Sequence, residues 1–376
     1  MTAHPTDSTA RGELATRLRT LTLPLPGRGG TIRRWEHLAR LTAEDIVTGR
    51  LIEAHADAIA ITTDLGASGL VTADSHWGVW AAEPPRPLLT ASESSGQPSG
   101  WVLHGTKPWC SGASLCTHAL VTATTRERTP DSPAEVALFA VDLWQTGVRA
   151  VPGTWPAVGM AASDSGWVEF DDVPARRLGG HADYLERPGF WHGGVGVAAC
   201  WFGGARAVAA PLFERAARAN ASPLVRAHAG AVAAELAAGW SLLEHTAAFV
   251  DADPDDERGL LMARALTVRT RIDRMAAGVI DRVGRALGAG PLCSDGEHAQ
   301  RVADLGVYIR QTHAEADEAT IAAEVRAHAE RAGAAGTSTG TGPGNGPGTA
   351  DVDVVAAAHW DTLIGFDSTP LRGTDD

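Results

Sequence analysis

The apolar positions along the chain fall into three textures. From Leu41 to Thr63, in LTAEDIVTGRLIEAHADAIAITT, the residues Val47, Leu51, Ala54, Ala58 and Ile61 recur at alternating steps of four and three, the spacing of one face of a helix. Thr42 stands where it would cap that helix, with Asp45 three positions on as a loose capping box. From residue 68 to 175 the apolar runs shorten, in a background rich in Gly, Pro, Trp, Val and Thr. SGWVLHGTKPWCSG reads as a hairpin followed by a strand. HALVTAT, EVALFAVDL, GVRAVP and GWVEFDDV read as further strands separated by turns. Pro and Gly at 84, 85, 87, 100, 105, 108 and 112 punctuate them, and the region is expected to be a compact antiparallel β domain.

Beyond Arg187 the pattern turns alanine-rich and helical. GGVGVAACWFGGARAVAAPLFERAARAN, PLVRAHAGAVAAELAAGWSLLEHTAAFVD, DDERGLLMARALTVRTRIDRMAAGVIDRVGRALG and DGEHAQRVADLGVYIRQTHAEADEATIAAEVRAHAERAG read as four long helices, the third ended by Gly288 and Gly290. Four such helices in a row imply an up-down bundle. The low-complexity stretch 333–350 reads as a flexible loop. The expected fold is therefore α+β: a shortened N-terminal helical part (1–67, its first ten residues disordered), a central antiparallel β domain (68–180), a C-terminal four-helix bundle (181–332), the loop, and a C-terminal segment (351–376) that docks back on the bundle.

Composition narrows the function. A net charge of −13 leaves no basic stripe for phosphates and argues against a nucleic-acid partner. Four cysteines without paired spacing suggest neither a zinc site nor a disulfide framework. The N-terminus shows no apolar signal core and no run of 18 apolar residues occurs, so the expected compartment is the cytoplasm, with no membrane partner. Twelve Trp against two Tyr is unusual, and Trp suits core packing or stacking on a planar ligand. On a strand, Lys107, Trp109 and Ser111 would share one face.

Four segments in order carry a resemblance: GTKPWCSGASLCTHALVTA, AVGMAASDSGWVEFDDVPA, YLERPGFWHGGVGVAACWFGGA and GRALGAGPLCSDGEHAQRVADL. Together they resemble the acyl-CoA dehydrogenase family over roughly residues 40–330. The resemblance implies FAD, a homo-dimer or tetramer, an acyl-CoA or related substrate, and oxidation of its Cα–Cβ bond by α-proton abstraction with hydride transfer to flavin N5. The electron acceptor is not implied. It places Trp109 and Ser111 at the flavin edge and Glu83, in Ala81-Ala82-Glu83-Pro84, at the family's Leu-Thr-Glu-Pro position, here without the Thr and without a following Gly-Ser-Asp. Gly288 and Gly290 would let backbone N–H groups meet the FAD pyrophosphate, with the next helix dipole adding to it.

For the catalytic base the family offers two positions. Eight residues after Asp304 stands Thr312, with His313 beside it; at the other, Glu186 directly precedes Arg187. Glu186 would act as base if buried beside an acyl chain, with Arg187 opposing the rise in its pKa. His313 is the candidate for an active-site acid or substrate contact. His313, Glu315 and Asp317 would not converge on a metal if helical, because i and i+2 point apart. Two other readings share the scaffold: a reduced-flavin monooxygenase using His313, and a non-catalytic member that has lost flavin. Arg310 is a candidate for a substrate anion, and Trp191, Phe202 and Trp240 for an aromatic pocket.

Overall fold

A computed structural model describes residues 12, 14–19, 21–82, 88–96, 100–337 (side chains to 331) and 363. Glu83, residues 1–10, most of the Gly-rich stretch and most of the C-terminal segment lie outside the described residues.

The first helical region is two helices, not one. Helix α1 spans Thr31–Glu44 and α2 spans Ile46–Asp64. Asp45 between them is extended, and its carboxylate accepts from the Thr48 N–H at 2.6 Å, so Asp45 rather than Thr42 caps α2. Thr42 belongs to the last turn of α1, where its hydroxyl donates to the Leu38 carbonyl. Thirteen of the nineteen α2 residues are buried, Glu53 and His55 among them, so α2 carries polar groups into the interior.

Among the described residues seven strands follow: β1 Trp77–Trp80, β2 Leu89–Glu93, β3 Trp101–Cys110, β4 His118–Arg126, β5 Glu135–Asp142, β6 Val148–Val151 and β7 Gly166–Leu178. The pairings β4–β5, β5–β7, β7–β3, β3–β2 and β2–β4 close a ring, with β1 added on β4 and β6 on β7. Most pairs are antiparallel, but β1–β4 and β2–β4 are parallel, so the domain is mixed. Hairpin logic reads only neighbours in sequence, and these two pairs join strands that are not neighbours. Leu103, Phe139, Val168, Phe170 and Val173 fill the interior.

The C-terminal helices are α3 Asp183–Glu186, α4 Pro188–Ala217, α5 Pro223–Ala252, α6 Leu261–Leu287, α7 Gly290–Ser294, α8 Gly296–Tyr308 and α9 Glu315–Thr337. The central α4 is long and apolar enough to cross a membrane by those criteria alone, yet 78% of its most apolar window is buried inside the protein. Its apolarity serves the core. Glycine lets α1 approach it: a Cβ on Gly203 would lie 2.0 Å from the Ala39 carbonyl oxygen. Leu363 is buried against Ala263 and Val325.

The fourth long helix of the sequence reading is broken. After α8 the chain makes a 3₁₀ turn at Ile309–Gln311, extends at Thr312 and turns left-handed at Ala314 before α9 begins. Arg269 of α6 holds the break by donating to the Gln311 carbonyl and to Gly194. Glu315, Asp317 and Glu318 in the first turn of α9 favour a new helix start there.

Candidate functional site

Strand β3 ends in a bulge. Lys107 faces Val168 and Cys110 faces Gly166, so three steps on β3 match two on β7. Trp109 takes up the extra residue with a left-handed φ of 58°. The shared-face expectation therefore fails. Lys107 is buried and donates to the Thr122 carbonyl and hydroxyl, Ser111 is 8% exposed, and the Trp109 indole is turned outward at 49% exposure. Pro108 brings no N–H to the ladder, which favours the irregularity at this point.

Two residues after Trp109, Ser111 meets the loop before β7. Ser111 Oγ is 2.8 Å from Ser165 Oγ, which is 2.8 Å from Ser163 Oγ, and Ser163 donates to the Met160 carbonyl at 2.7 Å. The Asp164 carboxylate accepts from the N–H and hydroxyl of Ser114. This loop also fastens the sheet domain to the bundle. The Met160 N–H donates to Asp304 of α8, and a Cβ on Gly159 would lie 2.1 Å from the Ala303 carbonyl. Trp109, Met160 and Asp164 are all non-glycine residues in the left-handed region. Such strain persists only where the surroundings over-determine it, and it gathers at functional sites.

The residues at the head of the bundle divide. Glu186, at the end of the one-turn α3, is exposed. Arg187 is buried, pairs with Asp64 at 2.7 Å and lies over the Tyr184 ring. Behind it sequence reasoning missed a polar interior on α2. Glu53 pairs with Arg50 at 2.7 Å, yet burial outweighs that pairing and pushes its carboxyl up to about 7. Burial likewise raises Asp57, half-buried one turn later and facing Gly193, against the pull of Arg187 and Arg34. Burial lowers His192 to about 4, with Arg187 adding to it. The available signal was two acids at i and i+4 in an otherwise apolar helix.

His313 lies in the α8–α9 break with its imidazole 82% exposed and Nδ1 3.3 Å from Asp317 Oδ1. Thr312 beside it is 3.5 Å from Asp273, whose other carboxylate oxygen is buried without a partner and whose carboxyl is raised by burial. Arg310 is exposed and its charge acts on Asp273. Among the described residues, no hydrogen bond or ion pair joins Glu186 or His313 to Trp109 or Ser111. Gly288 ends α6 with a φ of 69°, and a Cβ on Gly288 or Gly290 would meet open space. The N-terminus of α8 is already capped by the Asp295 carboxylate. A cavity of about 590 Å³ opens elsewhere, between α1, α4 and α5, lined by Glu36, Arg40, Phe202, Arg206 and Trp240. Trp191 is not part of its lining.

Residues 85–173 match the family model "Acyl-CoA dehydrogenase, middle domain". No curated protein matches the sequence. Dibenzothiophene monooxygenase (TdsC) from Paenibacillus sp. A11-2 is similar in structure with a TM-score of 0.65 at 20% identity, covering 84% of this chain and 93% of that one. A nitrososynthase from Micromonospora carbonacea var. africana gives 0.68 at 20% identity, covering 82% and 86%. The HsaA monooxygenase from M. tuberculosis gives 0.64 at 18% identity, covering 82% and 85%. The chain has the acyl-CoA dehydrogenase-like fold.

Proposed function

We propose that this chain is a flavin-dependent oxidoreductase of a small organic molecule, and that its chemistry is monooxygenation with reduced flavin and molecular oxygen. The observation that carries this reading is the break at 309–314. It leaves His313 exposed and tethered to Asp317, while Thr312 stands where a dehydrogenase of this fold would carry its base. The alternative base, Glu186, is exposed, whereas a base for α-proton abstraction gains strength from burial beside the acyl chain. TdsC is described with FMN and indole, and KijD3 with FMN and a deoxysugar nucleotide, which supports a flavin and a small-molecule substrate here.

The residues present fit a flavin: a displayed indole for the ring face and, two residues on, a serine hydroxyl at the end of an internal chain. Bound reduced flavin would supply the two electrons that let oxygen react with an organic substrate. Trp109 would stack on the ring, and its strained backbone holds it in place beforehand. Asp317 would fix the His313 proton on Nδ1, leaving Nε2 free to take a proton from the substrate.

A second reading, FAD-dependent dehydrogenation of an acyl-CoA with Glu186 as base and Arg187 beside it, is favoured by the middle-domain match. The two separate in one set of assays. Under monooxygenation, reduced flavin plus candidate aromatic or amine substrates gives products labelled from ¹⁸O₂, and His313→Ala lowers kcat while flavin affinity is kept. Anaerobic bleaching by acyl-CoA thioesters, lost in Glu186→Gln, would instead establish dehydrogenation.

A further inference from the structure

Small side chains open a groove between α1 and α4. Ala39 and Ala43 line it from one helix, Gly203 and Ala207 from the other. The cavity of about 590 Å³ forms one end, with Phe202 and Trp240 in its wall. A second cavity, of about 240 Å³, carries it along α4 to Phe213 and Arg301. Ala43 and Arg206 line both, so the two meet at those side chains. The Phe202 and Trp240 rings lie 5.4 Å apart between centroids and are tilted by 43°, which gives the groove an aromatic wall suited to a flat apolar body. Small-molecule sites take this form, apolar with a few polar groups, at roughly 300–1,000 Å³. The lining charges are answered by partners except for one. Arg40 pairs with Glu36, Glu44 with Arg17 at 3.3 Å, and Arg301 with Glu297. Arg206 is exposed where the cavities meet, and among the described residues it has no hydrogen bond or ion pair.

We propose that this groove binds an aromatic carboxylate, its ring against Phe202 and Trp240 and its carboxylate held by Arg206. The chain as a whole carries a charge of −13, so an anion gains here only from a local cation that is not already paired. A guanidinium can donate two parallel hydrogen bonds to a carboxylate, which a neutral amide group on the ligand cannot match in strength. Phe202 and Phe213 are eleven residues apart on α4, a span of about 16 Å, which leaves room for a fused two-ring acid. The groove stands apart from the flavin region: its lining contains none of Trp109, Ser111, Glu186 and His313, and every residue in it belongs to α1 or to a helix of the bundle. It is a second ligand site, independent of the reaction carried out elsewhere in the chain.

The probes are 2-naphthoate and its neutral counterpart 2-naphthamide, titrated calorimetrically into the full chain. Wild type is expected to take up one equivalent of naphthoate, about tenfold more tightly than the amide, the difference made by one charge-assisted hydrogen bond. Arg206→Gln should bring the two affinities together and leave the melting temperature unchanged, since the side chain is exposed and holds no partner in the protein. Ala43→Leu puts a larger side chain where the cavities meet and should abolish binding of both probes; Trp240→Ala should weaken both alike. If Ala43→Leu or Trp240→Ala lowers the melting temperature, Arg206→Gln decides alone. A naphthoate preference that survives Arg206→Gln overturns the proposal, as does a wild type that binds neither probe at millimolar concentration. So does naphthoate binding that is kept in Ala43→Leu and lost in Trp109→Gly, which would put the acid in the flavin region. FMN affinity is measured beside each variant and should not move with Arg206→Gln, so failure of the groove and failure of the flavin reading are seen separately.

Discussion

Replacing Glu53 by Gln should make the protein more stable at neutral pH and leave it nearly unchanged in mild acid. The Glu53 side chain is 5% exposed, and its partner Arg50 is 13% exposed. Burial raises the carboxyl from an ordinary 4.5 to about 7; Arg50 opposes the rise, and Asp57 one turn on adds to it. A folded-state pKa above the unfolded one means that the folded chain holds the proton more tightly. The stability this contributes is full below about pH 4.5 and is lost as pH rises toward 7. At ~1.4 kcal/mol per pH unit, that gap amounts to ~3 kcal/mol. Gln resembles the protonated acid and does not titrate, so the variant escapes the loss. His55 and His192, both lowered to about 4, have the opposite sign: their contribution is present above 6.5 and falls away as pH drops toward 4. They are common to both proteins and cancel in the difference. The assay is urea unfolding of wild type and Glu53→Gln at half-unit steps from pH 5 to 8. The variant's advantage should grow by roughly 2–3 kcal/mol across that range. Parallel profiles would show that Glu53 ionises at an ordinary pH and that the polar interior of α2 is wet.

Gly203→Ala should destabilise by ~2 kcal/mol or more in thermal unfolding, because the new Cβ meets the Ala39 carbonyl at 2.0 Å and α1 has to move. Gly230→Ala, on the exposed face of α5 with nothing within 4 Å, should stabilise by up to ~1 kcal/mol; equal effects at the two sites would mean that α1 does not pack on α4 as described. Trp109→Gly removes a large side chain yet relieves ~1–2 kcal/mol of left-handed strain. Its melting temperature should stay close to that of wild type while flavin affinity drops, and a large loss of stability would instead make Trp109 a core residue.

Much of the fold was legible in the chain itself. Apolar runs between turns located β4 to β7, the hairpin expected at 99–112 is instead the single strand β3, periodicity located the long helices, and Gly288 ended α6 where its sequence position implied. Each of these is a local property, decided by neighbours a few residues away. The acids at 53 and 57 could be read as charges in an apolar helix, but not as buried, because burial depends on α4 and α1 closing over them. Period-two reasoning put Lys107, Trp109 and Ser111 on one face. The register against β7 inserted an extra residue and turned the indole out while Lys107 and Ser111 stayed in. A continuous helical pattern ran through 309–314, and Arg269, forty residues earlier, broke it there and exposed His313. The sequence alone located most of the long helices and the strands from β4 to β7 in their order, since hydrophobic spacing is written along the chain. Tertiary structure decided which way the chemical groups point, because bulges and helix breaks are set by partners far away in sequence.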